Sequence, residues 1–406
     1  MVNETEIMLS VPVFLWLMIW GGLFTGIYNV TEAMFSNPLA LFQGTRAFLP
    51  LLALYICLMW MLLAGAKVPS LSNPVGFFFY YCVVGLAVSF FSPDKMTALY
   101  WGGIYLAPVL AVWLVLSGED ILDRIKKILY VNYAVVVLIF LGLLPEIYSY
   151  GYGGKLRFVF YELPFGLGIM RGNGVARFAL VLIIISGVRL LSQKTKWRYL
   201  WAAPLVISAY TIMQTQSRTA FLGLVVVGLL LVYIIGLRWQ FLFLGPLAAF
   251  VLWRAGFQER AHGSLNQLVD LTGREFTWQL AVAEIKKSPF LGWGFHSDRI
   301  LLDSQHIHNS YIHALMHGGI VGLLFFLAAV FSIWYVIIKN NVLKRISNAD
   351  IKNRPFLIES VLIIGFLTAR SFFESTAAFF GVDLLLFVPA AAFVYVWAKK
   401  TENSEK

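Results

Sequence analysis

The sequence predicts an all-α polytopic membrane protein, and three of its properties favour this class. Of its 406 residues 60% are hydrophobic, only 13% are charged, and the mean hydropathy is +0.78. Apolar runs of roughly 18 or more residues recur, each long enough to cross about 30 Å of hydrocarbon as a helix. The runs are continuous, whereas a membrane β-barrel needs alternating hydrophobicity. The length and number of these apolar runs also exclude a soluble protein.

About twelve transmembrane helices are predicted, and because the number is even, both termini are expected in the cytoplasm. The predicted spans are 8–28, 47–64, 74–92, 98–117, 127–145, 174–192, 198–214, 218–236, 239–253, 311–338, 355–377 and 380–398. We find no internal repeat and predict a single integral membrane domain. Its parts are N-terminal scaffold helices at 1–145, an external loop at 146–173, helices carrying a first arginine motif at 174–253, a long periplasmic loop with short helices at 254–310, and C-terminal helices at 311–406.

The net charge of +10 reflects topology. When alternate loops are assigned to opposite sides, most loop lysines and arginines, such as Lys126 and Lys344, fall on one side, which the positive-inside rule makes cytoplasmic. The lipid bilayer is therefore the expected partner of the basic residues, and no nucleic acid is expected. Cys57 and Cys82 both fall in apolar runs and are predicted to be small buried hydrophobes.

Polar side chains concentrate between Leu271 and Gly319, and all six histidines lie between His262 and His317. In so apolar a chain this concentration predicts the functional site. A helix is expected at its start, because Thr272 and Glu275 have the spacing of a capping box. An apolar stripe at helical spacing follows, formed by Trp278, Ala281, Val282 and Ile285.

Arg274 falls in the first turn of that helix. A cation there is unfavourable by roughly 0.3 to 1 kcal/mol against the helix dipole, unless an anion is also bound. Unpaired helix N–H groups and a guanidinium that converge on one point form a phosphate site. The alternative is an ordinary ion pair with Asp270 or Glu275.

Arg218 lies at an external turn among uncharged neighbours, in the segment TQSRTA. An arginine at a helix end near lipid depth needs a partner from elsewhere, or else it extends to the membrane interface. Two arginines beside an outward-facing cavity, Arg218 and Arg274, favour a diphosphate ligand, because planar guanidinium groups bind phosphate oxygens in pairs.

The histidines allow two interpretations. His313 and His317 lie four residues apart, which is a metal-ligand spacing. The glutamate of an HExxH motif is missing, and Asp298 and Asp303 follow no recognisable ligand pattern, so no metal is expected. A neutral imidazole before a helix, as at His308, is better suited to general-base catalysis at neutral pH.

Three segments resemble, in this order, the O-antigen ligase and polymerase superfamily. They are TQSRTAFLGL around Arg218, LTGREFTWQLAVAEIKKSPFLGWGF around Arg274, and HIHNSYIHALMHGGIVGLLFF around His308. The resemblance covers roughly residues 170–380. It implies a cofactor-free, metal-independent glycosyltransferase of the bacterial inner membrane, which transfers a glycan from undecaprenyl diphosphate to an acceptor hydroxyl at the periplasmic face with inversion.

The resemblance also implies residue roles. Arg218 and Arg274 would bind the donor diphosphate, and His308, which precedes Asn309, would activate the acceptor hydroxyl. Secondary candidates are the donor contacts Arg171 and Arg177, the alternative base His306, Asn309 itself, and the pair Arg370 and Glu374. That last pair, four residues apart, has the alternative interpretation of an intrahelical salt bridge.

The acceptor is left open among three possibilities. A ligase uses lipid A-core, a polymerase joins two undecaprenyl-linked glycans, and an oligosaccharyltransferase uses protein. The single long external loop favours the ligase. A transporter or flippase is the alternative from another class, but it predicts charged residues at the bilayer midplane and an inverted repeat, which the sequence does not show.

Overall fold

The computed structural model describes residues 11–24, 38–65, 68–149, 160–163, 168–236 and 274–404. Most of these residues are helical. The α-helices are α1 Val11–Gly21, α2 Pro38–Ala64, α3 Pro74–Ser89, α4 Lys95–Leu116, α5 Ile121–Ser149, α6 Gly172–Ser192, α7 Ala202–Thr215, α8 Arg218–Ile235, α9 Arg274–Lys287, α10 Ser297–Leu301, α11 Ser310–Lys339, α12 Val342–Arg345, α13 Arg354–Arg370 and α14 Val382–Ser404. Strands β1 (Phe160–Leu163) and β2 (Gly168–Arg171) pair antiparallel, and 3-10 turns cover Lys196–Trp201 and Ile346–Asn348.

Among the described residues, seven helices are long and apolar enough to cross a membrane. They contain Leu41–Leu63, Lys95–Leu116, Ile121–Ser149, Gly172–Ser192, Arg218–Ile235, Ser310–Lys339 and Val382–Ser404. Shorter apolar helices occupy Val11–Gly21 and Pro74–Ser89. The all-α polytopic membrane class is thus confirmed, whereas the count of twelve spans and the periplasmic position of the long loop stay predictions.

Each predicted span that the structure describes contains a helix, and 239–253 lies outside the described residues. Several helix ends differ from the prediction, and one of them lies beside Glu374. The span predicted at 355–377 ends as a helix at Arg370, and a series of turns follows before α14 begins at Val382. The predicted cap Thr272 and the alternative ion-pair partner Asp270 also lie outside the described residues.

The chain divides into two compact units, each assembled from separated stretches. Unit 1 comprises Met1–Asn132, Arg274–Val342 and Ser371–Lys406, and unit 2 comprises Tyr133–Gly273 and Leu343–Arg370. The units therefore do not follow the consecutive parts expected from the sequence, whose boundaries stay predictions.

Unit 1 is built on α3, which packs against both α11 and α4, while α2 also packs on α4. The polar side chain of Asn132 lies in this apolar interior. Asn132 is fully buried, and its side-chain oxygen accepts hydrogen bonds from the indoles of Trp16 (2.6 Å) and Trp20 (2.8 Å), while its amide donates to the Leu385 carbonyl (2.7 Å). A buried amide is tolerated because its donor and acceptor are both satisfied. As predicted, Cys57 and Cys82 are free and buried.

Unit 2 packs α8 against α13 and α6 against α7. Gly223 permits a close approach, since a Cβ there would lie 2.5 Å from side-chain atoms of Leu180 and Phe366. Arg189 makes a two-pronged ion pair with the fully buried Glu359, at 2.6 and 3.0 Å. This pair joins α6 to α13 inside the unit.

Candidate active site

The junction before α11 is shaped by the His-Asn pair singled out in the sequence. Asn309 caps the helix, because its side-chain oxygen accepts from the N–H groups of Tyr311 and Ile312, both at 3.0 Å. Its amide nitrogen donates to the Phe372 carbonyl at 3.0 Å. His308 immediately precedes the cap with a positive φ of 50°, a conformation that non-glycine residues rarely adopt. The capping contacts of Asn309 therefore fix the backbone from which the His308 side chain extends.

Glu374 connects the two predicted catalytic residues of unit 1. One carboxylate oxygen lies 2.8 Å from Nδ1 of His308, and the other lies 3.0 Å from Nη2 of Arg274. A second guanidinium nitrogen of Arg274 donates to the Phe373 carbonyl. Glu374 is 7% exposed, whereas the His308 side chain is 29% exposed. Because an ionised carboxylate only accepts, it holds the proton on Nδ1 and leaves the lone pair on Nε2 of His308.

Arg274 therefore has a carboxylate partner that the sequence did not indicate. Among the described residues, the partner in the ion pair is Glu374 and not the neighbouring Glu275. Arg274 is the first residue of α9 and so lies in its first turn, where the sequence places it. The alternative of an intrahelical Arg370 and Glu374 pair is wrong, because α13 ends at Arg370 and Glu374 lies in the turns beyond it.

The turns that carry Glu374 are tied to the first turn of α11. Ser310 donates its backbone N–H to the Ser371 carbonyl at 2.9 Å, and its hydroxyl lies 2.9 Å from the carbonyls of both Glu374 and Thr376. The Tyr311 hydroxyl lies 2.9 Å from that of Ser371. These contacts fix Glu374 relative to His308.

The loop segment that bears His306 and His308 is seated by the residue between them. Ile307 is fully buried in a cluster with Ala281 and Ile285 of α9, and its carbonyl accepts from the Trp278 indole at 2.6 Å. The predicted apolar stripe of α9 is thus buried in part. Val282, which was assigned to the stripe, is instead 42% exposed, because the buried face follows Thr277, Ala281 and Ile285.

A second polar cluster in unit 1 centres on Asp298, which is 1% exposed. One of its oxygens lies 3.0 Å from Nδ1 of His306, and the other lies 3.4 Å from Nε2 of His313. His317 follows one turn later, and Asp298, His313 and His317 offer possible ligand atoms within 4.8 Å of one another. The sequence did not indicate this grouping of Asp298 with His313 and His317. Its histidines lie up to 19 positions away, beyond any ligand spacing that the sequence displays.

Burial and charge act on the titratable groups of this cluster in opposite directions. Burial alone would raise the pKa of Asp298, but the facing imidazoles of His313 and His306 outweigh it and hold the pKa well below its usual range. Burial lowers the pKa of His306 despite the Asp298 carboxylate, and it lowers the pKa of His296 to about 4. His306 and His296 are therefore neutral at neutral pH.

A break in α11 positions the segment before Asp298. Gly319 has φ 60° and ψ −158°, and a Cβ there would lie 2.2 Å from the Phe290 carbonyl. At the break, backbone groups of α11 form hydrogen bonds with the preceding loop. Ile320 N–H donates to the Pro289 carbonyl at 2.9 Å, and the His317 carbonyl accepts from Gly294 N–H at 2.9 Å. Glycine is required at this position.

A cavity of about 450 Å³ borders the Asp298 cluster. Aromatic and histidine rings share its lining with the carboxylate. They include Trp101, His296, His306, His317 and Phe379. His296 stacks on Trp101 with ring centres 4.8 Å apart.

The remaining predicted arginines belong to unit 2. Arg218 is the half-buried first residue of α8, after a turn in which Gln216 has a positive φ of 46° and Ser217 caps the helix. Arg370 is buried and its guanidinium lies 3.3 Å from the Thr219 hydroxyl.

Arg171 and Arg177, also in unit 2, flank the start of α6. Arg171 is exposed, and the guanidinium of Arg177 lies 5.2 Å from the centre of the Phe178 ring. The structure thus brings together Arg274, His306, His308, Asn309 and Glu374 within unit 1. The predicted convergence of Arg218 with Arg274 and His308 stays a prediction.

The apolar helices define a multi-pass membrane protein, and the partly exposed imidazole held by a buried carboxylate is typical of a site for proton transfer. Residues 203–327 match the O-Antigen ligase family, and this segment contains Arg218, Arg274 and His308. The chain is also similar to the exopolysaccharide production protein ExoQ of Rhizobium meliloti (strain 1021), with 24% identity over 279 residues, 61% of this chain and 61% of that protein. The match thus spans less than two thirds of that relative. Both findings confirm the resemblance to the O-antigen ligase and polymerase superfamily.

Proposed function

We propose that this chain is a glycosyltransferase of the O-antigen ligase and polymerase type, which transfers a glycan from a polyprenyl-diphosphate donor to an acceptor hydroxyl. The observation that carries the proposal is the contact of Glu374 with both His308 and Arg274. This contact places a candidate general base (His308), the carboxylate that orients it (Glu374) and a cation (Arg274) within one unit. The expected donor lipid is undecaprenyl diphosphate, and the expected site faces the periplasm of the inner membrane.

His308 acts as the base in this proposal. Glu374 fixes the proton on Nδ1, so Nε2 receives the proton of the acceptor hydroxyl as the oxygen attacks the anomeric carbon. The bond between that carbon and the diphosphate oxygen breaks, and the diphosphate leaves with the bonding electrons. A single in-line displacement inverts the anomeric centre. Glu374 also stabilises the imidazolium that forms.

Arginines take the role of a metal at the leaving group. Diphosphate is already a good leaving group, so charge stabilisation is what the site has to provide, and no metal is required for this step. Arg218 retains the diphosphate role assigned from the sequence, with Arg171 and Arg177 as weaker donor contacts. Arg274 uses part of its five N–H donors on Glu374 and Phe373 and offers the rest to the diphosphate.

Two acceptors are each favoured by a specific observation. The match of residues 203–327 to the O-Antigen ligase family favours lipid A-core, which we place first. The similarity to a protein named for exopolysaccharide production favours the second candidate, a polymerase that joins two lipid-linked glycans.

A transfer assay with the purified full chain tests the proposal. Donor glycan on undecaprenyl diphosphate is offered with lipid A-core and with a second lipid-linked glycan in the same vesicles, and products are identified by mass spectrometry. We expect a new glycosidic bond to one acceptor, present in the wild type and abolished in Arg218→Ala, Arg274→Ala and His308→Ala.

Exposed arginines provide matched controls. Arg299→Ala and Arg354→Ala remove the same charge from exposed positions, and both variants are expected to retain transfer. Movement of donor across the vesicle without any glycosidic product would replace the proposal with a flippase. Full transfer by His308→Ala would remove the general-base role.

A further inference from the structure

The Asp298 cluster of unit 1 contains a set of ligand atoms that the proposed transfer does not use. Asp298 and His317 are almost completely buried, and His313 is 2% exposed. His313 and His317 lie one turn apart on α11, and Asp298 lies on α10, which faces them. A carboxylate with two imidazoles is a donor set that first-row divalent metals bind.

Each of the three residues has a second atom held by another group. Nδ1 of His313 lies 2.8 Å from the Ser375 hydroxyl, and Nδ1 of His317 lies 3.2 Å from the Tyr81 hydroxyl. The second oxygen of Asp298 lies 3.0 Å from Nδ1 of His306. Such outer partners orient imidazoles and carboxylates in metal sites and set the tautomer.

The tautomer of His317 follows from its partner. The Tyr81 hydroxyl donates its single proton to the Ala378 carbonyl at 2.8 Å, so toward His317 it accepts, and Nδ1 of His317 is the donor. The lone pair is then on Nε2. Among the described residues, this buried Nε2 has no hydrogen-bond partner. A buried acceptor without a partner costs free energy, and a bound cation would satisfy it.

The dimensions are compatible with a metal ion after a small adjustment. Nε2 of His313 lies 3.4 Å from Asp298, which is close to the edge of a tetrahedron with bonds of about 2.0 to 2.1 Å. The full set of ligand atoms lies within 4.8 Å, so the widest pair has to close by at most about 1.4 Å to reach that edge. The adjoining cavity of about 450 Å³ admits the ion and a water as fourth ligand.

We propose that Asp298, His313 and His317 bind one divalent transition-metal ion, with Zn²⁺ as the probe. The ion joins α10 to α11 beside His306, which contacts Asp298. The proposal differs from the expectation of no metal drawn from the sequence. It is independent of the proposed transfer, whose residues are Glu374, His308 and the arginines.

Metal content of the purified chain tests the site directly. The tag-free full chain in detergent is stripped with a chelator, equilibrated with Zn²⁺, desalted and analysed by mass spectrometry for zinc. We expect about one ion per chain, a higher unfolding temperature than in the stripped protein, and a Co²⁺ derivative with the visible absorption of a tetrahedral site. Less than a tenth of an ion per chain in the wild type overturns the proposal, whatever the variants do.

Variants locate the ion. His317→Gln and Asp298→Asn are expected to lose at least nine tenths of the bound zinc. His296→Gln is the matched control, because His296 borders the same cavity outside the proposed set, and it is expected to keep the ion. Equal zinc in His317→Gln and the wild type overturns the assignment. If a variant does not fold, the zinc content and the Co²⁺ spectrum of the wild type still decide.

Discussion

The two units place the arginines singled out in the sequence beside different groups. In unit 1, Arg274 pairs with the buried carboxylate of Glu374, which also holds His308. In unit 2, Arg218 begins α8 in a sequence that offers hydroxyl and amide groups and no charge, and Arg370 contacts the hydroxyl of Thr219. A carboxylate beside an imidazole suits proton transfer, and planar guanidinium groups suit phosphate oxygens. Under the proposed function, unit 1 would act on the acceptor and Arg218 would bind the diphosphate.

Under the proposed function His308 is the general base, and we expect it to be the most sensitive position. We expect His308→Gln to lower kcat by about 10²- to 10⁴-fold, because glutamine has similar size but accepts no proton. Transfer by purified protein under saturating donor is the measurement. His306→Gln is the paired variant, since His306 contacts Asp298 instead of Glu374. A larger loss of kcat in His306→Gln than in His308→Gln would move the base to His306.

Unit 2 also contains an ion pair, and we expect its role to be structural. Removing one partner of a buried pair leaves an uncompensated charge, so Arg189→Ala is expected to destabilise the protein by about 3 to 5 kcal/mol. Thermal unfolding in detergent measures this loss. The pair is nearly inaccessible, with side-chain exposures of 12% for Arg189 and 0% for Glu359.

The control removes both charges together. Arg189→Met combined with Glu359→Met is expected to recover much of the lost stability, since no buried charge is left without a partner. An Arg189→Ala protein that unfolds at the wild-type temperature would show that the pair contributes nothing to unit 2.

The sequence predicts local features well and distant contacts poorly. The apolar runs predict the helices because hydropathy is a local property, and the His-Asn pair predicts the start of α11 because capping acts within a few residues. Glu374 contacts Arg274 and His308 across 100 and 66 positions. No periodicity encodes such a contact, and Glu374 drew notice only through its nearness to Arg370. Asp298 was dismissed for the same reason.

A double-mutant cycle sharpens the division between the units. Glu374→Gln keeps the shape of the side chain but loses its charge, and we expect a decrease in kcat of about 10²-fold as His308 loses its orientation. Arg274 contacts the same carboxylate, so the effects of Glu374→Gln and Arg274→Ala on kcat should couple by roughly 0.5 to 3 kcal/mol. The effects of Glu374→Gln and Arg218→Ala should add within about 0.5 kcal/mol.

Two results of this double-mutant cycle would contradict the prediction. Additive effects of Glu374→Gln and Arg274→Ala would mean that Arg274 acts on the donor without help from Glu374. Strong coupling of Glu374→Gln to Arg218→Ala would contradict the separate roles proposed for Glu374 and Arg218. Steady-state rates at two donor concentrations distinguish a change in kcat from a change in KM.

The smallest effect is expected at the cap between the base and its helix. Asn309→Ala removes a side chain that accepts from two N–H groups of α11, and we expect a loss of about 1 kcal/mol in unfolding free energy. Asn309→Asp separates this cap from the other contact of the residue, because aspartate still accepts from the helix but cannot donate to the Phe372 carbonyl. If the cap positions His308, Asn309→Asp retains both stability and kcat. If instead the bond to Phe372 positions the turn that carries Glu374, Asn309→Asp keeps its unfolding temperature and loses kcat, so the two measurements together decide which contact supports the base.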